Sequence, residues 1–113
     1  MIAVEQYYQK EIETASLDEI RAIQNERLVN TVNRVYKNNE YYRDLMEKKG
    51  VTPDDIKSVD DLHKLPFLTK DDLRKAYPYG LMSAPLSECV RIQSTSGTTG
   101  KRVVAFYTQH DID

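Results

Sequence analysis

Cys89-Val90-Arg91-Ile92-Gln93-Ser94-Thr95-Ser96-Gly97-Thr98-Thr99-Gly100-Lys101-Arg102-Val103-Val104-Ala105-Phe106-Tyr107-Thr108 decides how this chain is read, because two strand-like ends flank a loop of glycines and hydroxyls. Val90 and Ile92 alternate with Arg91 and Gln93, which predicts a strand over about 89–94; the β-branched and aromatic run from Val103 to Thr108 predicts a second. Between them Thr95-Ser96-Gly97-Thr98-Thr99-Gly100-Lys101 combines two glycines, four hydroxyls and a lysine. Glycine permits close backbone approach, hydroxyls donate to phosphate oxygens, and Lys101 brings a point charge. That composition suits a nucleotide's phosphates. Two strands alone are marginal in water, so the hairpin asks for more sheet, a helix layer or another chain to cover it.

Upstream, one local pattern recurs in Ser16-Leu17-Asp18-Glu19-Ile20, Thr52-Pro53-Asp54-Asp55-Ile56, Ser58-Val59-Asp60-Asp61-Leu62 and Thr69-Lys70-Asp71-Asp72-Leu73. Each reads as a helix start. The hydroxyl caps a free N–H, the acids sit where the macrodipole favours them, and the aliphatic opens a buried face. Capping already accounts for the paired aspartates, so a Mg²⁺ or acid/base site there is not favoured.

From Leu17 to about Lys37, Ile20, Ile23, Leu28, Val32 and Val35 mark one stripe of a long amphipathic helix. Asn38-Asn39 interrupts it. A second helix over about 40–49 buries Tyr42, Leu45 and Met46 and ends at Gly50 in a left-handed conformation. Short helices follow around 53–57, 59–64 and 70–76, the last two stopped by Leu65-Pro66 and Tyr77-Pro78. Residues 78–88 read as an irregular connection. Thr108-Gln109-His110-Asp111-Ile112 repeats the capping start with no helix behind it, as in a truncated polypeptide.

The sequence of 113 residues is 40% hydrophobic and 30% charged, which fits one ordinary globular unit. A formal charge of −2 offers no long-range attraction for nucleic acid or an anionic membrane. No apolar run reaches the roughly 20 residues of a membrane span, and the N-terminus lacks a leader pattern. Cys89 is the only cysteine, which excludes an intrachain disulfide and points to a reducing, cytoplasmic setting.

The loop is not a P-loop of the G-x-x-x-x-G-K-S/T kind. Gly97 and Gly100 are two residues apart, Arg102 follows Lys101, and a strand follows where that motif needs a helix. The strand-loop-strand segment instead resembles the phosphate-binding loop of the adenylate-forming superfamily, which includes acyl-CoA synthetases. Tyr41-Tyr42-Arg43, Leu65-Pro66-Phe67-Leu68-Thr69-Lys70-Asp71-Asp72-Leu73, Tyr77-Pro78-Tyr79-Gly80 and Val90-Arg91-Ile92 resemble, in the same order, segments of its phenylacetate-CoA ligase branch. The resemblance runs from about Tyr7 to Asp113. Three positions depart from it: Arg102 stands at a usual proline, Val103 at a lysine found in many members, and Gln93 where aryl-CoA ligases often have histidine.

The resemblance implies an α+β fragment, with a helical region over 1–88 and a β-hairpin over 89–113 that carries the phosphate loop and starts the large N-terminal domain of an adenylate-forming enzyme. It implies an acid-thiol ligase of phenylacetate catabolism. An aryl carboxylate attacks the α-phosphate of Mg²⁺-ATP to give an acyl-adenylate and pyrophosphate, and coenzyme A then displaces AMP. Thr95, Ser96, Gly97, Thr98, Thr99, Gly100 and Lys101 would contact the β- and γ-phosphates. Parts for adenine, acyl group and Mg²⁺ lie later in such proteins, so the fragment alone is expected to be inactive.

Other features take plainer readings. The eight tyrosines read as half-buried rings with wet hydroxyls, His63 and His110 as surface residues, and Cys89 as a small core side chain. An alternative from another class is a noncatalytic helical module for self-association or partner binding, its strands completed by domain exchange with a second copy. A homodimer is compatible with both readings.

Overall fold

A computed structural model describes residues 6–76, 80–95 and 103–113. The first element is one helical turn, α1 (Lys10–Glu13), which nothing in the sequence signals. The long helix α2 (Leu17–Asn38) and α3 (Glu40–Lys49) follow with the bounds their caps predict. Ser16 Oγ accepts from Glu19 N–H at 3.2 Å, and Ser16 N–H donates to the Glu19 carboxylate at 3.3 Å. This reciprocal pair satisfies two N–H groups that would otherwise lack partners.

Asn39 is the joint between the helices. It ends α2 by donating its N–H to Val35 O at 2.8 Å and starts α3 by accepting from Tyr42 N–H at 3.0 Å. Its side chain is buried, and Nδ2 donates to Ser83 Oγ at 3.4 Å. A buried amide without such partners would cost stability, so the turn is specified by polar satisfaction as well as by helix propensity. Gly50 then closes α3 at φ 76°, the left-handed C-terminal geometry expected of it.

The short segments keep their predicted starts but change helix type. Pro53–Asp55 and Val59–Lys64 are 3₁₀ turns, and only α4 (Lys70–Lys75) is α-helical. With an acidic cap every six to eleven residues, none of these segments has the length to propagate an α-helix. Within 78–88 a further 3₁₀ turn forms at Leu86–Glu88. The stop assigned to Tyr77-Pro78 lies outside the described residues.

The core is small. Val32, Met46, Val51 and Ile56 are buried together, with Leu28, Tyr36, Tyr42 and Leu65 packed at its edge. Of the predicted α2 stripe only Val32 is fully buried; Ile20, Ile23, Leu28 and Val35 are half-buried. Short loops bring the 3₁₀ turns against α2 without covering its whole face.

Strands β1 (Cys89–Ser94) and β2 (Val104–Thr108) pair antiparallel, as expected, in a two-stranded sheet. Cys89 faces Thr108 and Arg91 faces Tyr107, so Val90 is the extra residue of a bulge. A final turn, α5 (Gln109–Ile112), forms where no helix was expected to follow the capping signal. Thr108 N–H donates to Asp111 Oδ2 at 2.9 Å, and Asp111 N–H donates back to Thr108 Oγ1 at 3.4 Å. The tyrosines correct another expectation, since four hydroxyls are bonded within the protein rather than left to water. Tyr36 donates to Glu47, Tyr41 to Asp72, Tyr42 to Pro66 O, and Tyr8 to Asp113 O.

Candidate functional site

The sequence places its chemistry at the tip of the β1–β2 hairpin, and the structure describes the neck of that tip. Below it the register runs Ile92 to Phe106, Gln93 to Ala105 and Ser94 to Val104. Because side chains alternate along a strand, Arg91, Gln93 and Thr95 share one face with Tyr107, Ala105 and Val103. Val104 and Phe106 share the other face with Ile92 and Ser94.

Two hydrogen bonds close the neck. Thr95 N–H donates to Val103 O at 2.9 Å, and Val103 N–H donates to Thr95 Oγ1 at 3.0 Å. Of the seven predicted site residues, Thr95 is the one the structure places; Ser96, Gly97, Thr98, Thr99, Gly100 and Lys101 lie outside the described residues. Arg102 lies outside them too.

Beside the neck is an open depression of about 460 Å³, lined by Gln93, Ser94, Thr95, Val103, Ala105 and Tyr107. Its walls carry hydroxyls and one amide over a small apolar floor, and none of these six side chains is ionised at neutral pH. Such a surface can donate hydrogen bonds to an anion, but it supplies no countercharge of its own. Gln93, a departure from the aryl-CoA ligase pattern, is therefore part of this surface.

A second cleft, of about 420 Å³, separates the sheet's other face from α2. Arg34 and Val35 of α2 line it together with Met82, Phe106, Thr108 and Asp111. The Asp111 carboxyl is held below the usual carboxylate range, chiefly by the Thr108 N–H and with a smaller contribution from Arg34. Asp111 thus serves the α5 cap. The lining mixes one cationic and one acidic side chain with apolar groups, which is the character of an internal packing surface as much as of a binding site.

The remaining candidates resolve simply. Cys89, expected in the core, is half-exposed at the start of β1 and donates its Sγ–H to Pro85 O at 3.7 Å. His63 and His110 are exposed, as expected, and Asp60 O lies 3.0 Å from His63 Nδ1. Among the described residues no group of three or more His, Cys, Asp or Glu side chains could hold a metal ion. The second aspartate of each pair accepts backbone N–H bonds at a helix start, Asp55 from Thr52, Asp61 from Lys57 and Asp72 from Thr69, and Asp61 is lowered to about 2, first by the Lys57 N–H. Sequence reasoning missed the Thr95–Val103 side-chain bond. A hydroxyl at the last strand position before a glycine loop is the signal that could have found it.

The helices and two-stranded sheet of this chain have a structural counterpart. A solved 2-hydroxyisobutyryl-CoA ligase, in complex with 2-HIB-AMP and CoA in the thioesterification state, matches 95% of this chain with a TM-score of 0.81 and 27% identity. An open conformation of that ligase matches 98% with the same TM-score and 25% identity. The architecture is thus that of a region of an adenylate-forming CoA ligase. More particularly, the sequence resembles phenylacetate-coenzyme A ligases: it is 50% identical to that of Aromatoleum evansii and 48% to that of Escherichia coli, each over 90% of this chain. It is 43% identical to that of Thermus thermophilus over 93%. The chain spans about a quarter of the length of these relatives, 23–24%. No family model matches it. No helix among the described residues is long and apolar enough to cross a membrane.

Proposed function

We propose that this chain is part of an ATP-dependent ligase that activates an aryl carboxylate, phenylacetate or a close relative, as an acyl-adenylate and transfers it to coenzyme A. The observation that carries the reading is 43–50% identity over at least 90% of the chain to phenylacetate-coenzyme A ligases. The helical region over 1–88 and the hairpin over 89–113 would begin the large N-terminal domain of such an enzyme, at work in the cytoplasm.

In this reading Thr95, Ser96, Gly97, Thr98, Thr99, Gly100 and Lys101 hold the β- and γ-phosphates of ATP. When the carboxylate attacks the α-phosphorus, the α–β bridging bond breaks and negative charge grows on departing pyrophosphate. Donors already aimed at that charge lower the barrier without reorganising. Support comes from the neck, where two bonds between Thr95 and Val103 set the base of the loop. Lys101 supplies the positive charge that the surrounding hydroxyls and amide lack. Mg²⁺ enters with ATP, and none of the described side chains is assigned to it.

Phenylacetate-dependent exchange of pyrophosphate into ATP, measured on the protein encoded by the complete reading frame, tests the proposal. Exchange that requires the aryl acid is the expected result; none with any aryl acid overturns it. Residues 1–113 alone are expected to release no pyrophosphate from ATP.

A second reading, self-association, is favoured by one observation. Val90 and Ile92 are 55% and 59% exposed on a two-stranded sheet. Apolar strands left open in this way invite pairing with a second copy, by strand or domain exchange. Sedimentation of residues 1–113 across a hundredfold concentration range tests it, and a strictly monomeric species overturns it.

A further inference from the structure

In a regular antiparallel ladder, facing residues alternate between pairs that exchange two main-chain hydrogen bonds and pairs that exchange none, and the bond from Thr95 N–H to Val103 O makes Thr95 with Val103 a pair of the first kind. The last rung of this hairpin is mixed. Thr95 N–H donates to the Val103 carbonyl at 2.9 Å, but Val103 N–H donates to the Thr95 side-chain hydroxyl at 3.0 Å. The next rung inward, Ser94 with Val104, belongs to the regular ladder. We infer that Thr95 is the positioning residue of the phosphate loop: its hydroxyl stands in for its own carbonyl in the final rung, ends the ladder, and sets the spacing at which the chain leaves Thr95 and returns at Val103. The inference rests on the phosphate-side reading proposed above.

Three properties make threonine suited to the task. A hydroxyl has two lone pairs and one proton, so after accepting from Val103 N–H it can still donate to an anion. Accepting one bond also polarises the O–H that remains, strengthening it as a donor. The branched Cβ restricts χ1, so the oxygen is held at the rung rather than shared among rotamers. Serine keeps the oxygen and loses only the restriction. Valine keeps the shape and loses the oxygen, leaving Val103 N–H without this partner.

Role and reading separate in one set of measurements on the protein encoded by the complete reading frame, using Thr95→Val and Thr95→Ser. Amide hydrogen exchange reads the rung, and a titration with inorganic pyrophosphate followed by ³¹P NMR reads the loop. In Thr95→Val, Val103 N–H is expected to exchange about tenfold faster, the scale of one lost hydrogen bond, while the Gln93 and Ala105 amides, the next hydrogen-bonded pair of the register, stay as in the parent. Pyrophosphate affinity falls by a similar factor, and Thr95→Ser restores most of both. Unchanged exchange at Val103 in Thr95→Val overturns the inference. Faster exchange with undiminished pyrophosphate binding also overturns it, since the rung would then be structural only. Absence of pyrophosphate binding by the parent chain overturns the phosphate reading and the inference together, whatever the variants do.

Discussion

The Tyr41 hydroxyl donates to Asp72 Oδ1 at 2.7 Å, joining α3 to the first turn of α4 across 31 residues. The other carboxylate oxygen, Oδ2, accepts from Thr69 N–H at 2.8 Å and from Thr69 Oγ1 at 3.0 Å. One side chain therefore caps a helix and anchors it to its neighbour. The Tyr41 hydrogen bond is the leading cause that holds the Asp72 carboxyl below its ordinary value, with the Thr69 bonds behind it. The same bond raises the phenol of Tyr41. Tyr41→Phe removes it, so the Asp72 titration should move up toward the ordinary carboxylate value, as read by carboxyl ¹³C shifts against pH.

Acid stability follows from the same groups. Asp55, Asp61, Asp72 and Asp111 are all lowered in the folded chain from 3.8, Asp61 to about 2. A carboxyl lowered by folding contributes stability that is complete above its unfolded pKa and lost as pH falls through the folded one. Unfolding followed by circular dichroism should show stability falling as pH drops from 3.8 toward about 2. Tyr41 and Tyr42 are raised above 10.0, by the Asp72 bond and by burial respectively, so their contribution is complete below that pH and lost above it.

Met46 is fully buried at the centre of the core. Met46→Ala should cost about 2–5 kcal/mol, through lost transfer free energy and the cavity left behind. With a core this small, that is a large part of the total stability. A urea melt should show a reduced midpoint or no folded baseline.

At the start of α2, Ser16→Ala removes the acceptor for Glu19 N–H and should cost about 1 kcal/mol. Ser16→Asp restores an acceptor at the same place. Comparing the two by urea denaturation separates the cap from any general effect of substitution.

Gly50→Ala probes backbone strain in isolation. A Cβ at Gly50 meets nothing within 4 Å, yet φ is 76°. The cost should be about 1–2 kcal/mol, entirely conformational. Gly80→Ala acts by the opposite route, since its Cβ would lie 2.6 Å from Ala76 O with no positive φ to blame. Its effect should appear as amide shift changes around Ala76, where Gly80 N–H donates to Ala76 O at 2.7 Å.

Much of the element map was legible in the residues because capping, strand alternation and left-handed glycine are local physics. Ser16, Asn39 and Gly50 bound α2 and α3 by interactions within a few positions of each helix end. Alternation located β1, and a β-branched and aromatic run located β2, for the same reason. Helix type in the short segments was less legible, because a cap signals where a turn begins and not how far tertiary contacts let it propagate. At the candidate site, the hydroxyl-glycine composition could be read, but its geometry could not. Tyr41 with Asp72, Asn39 with Ser83, and the exchange of carbonyl for hydroxyl between Thr95 and Val103 arise only when the folded chain brings distant groups together. Local sequence determined where helices and strands start and stop. Tertiary structure decided which polar atoms meet, because a donor's choice of acceptor depends on distance and burial that no span of neighbouring residues encodes.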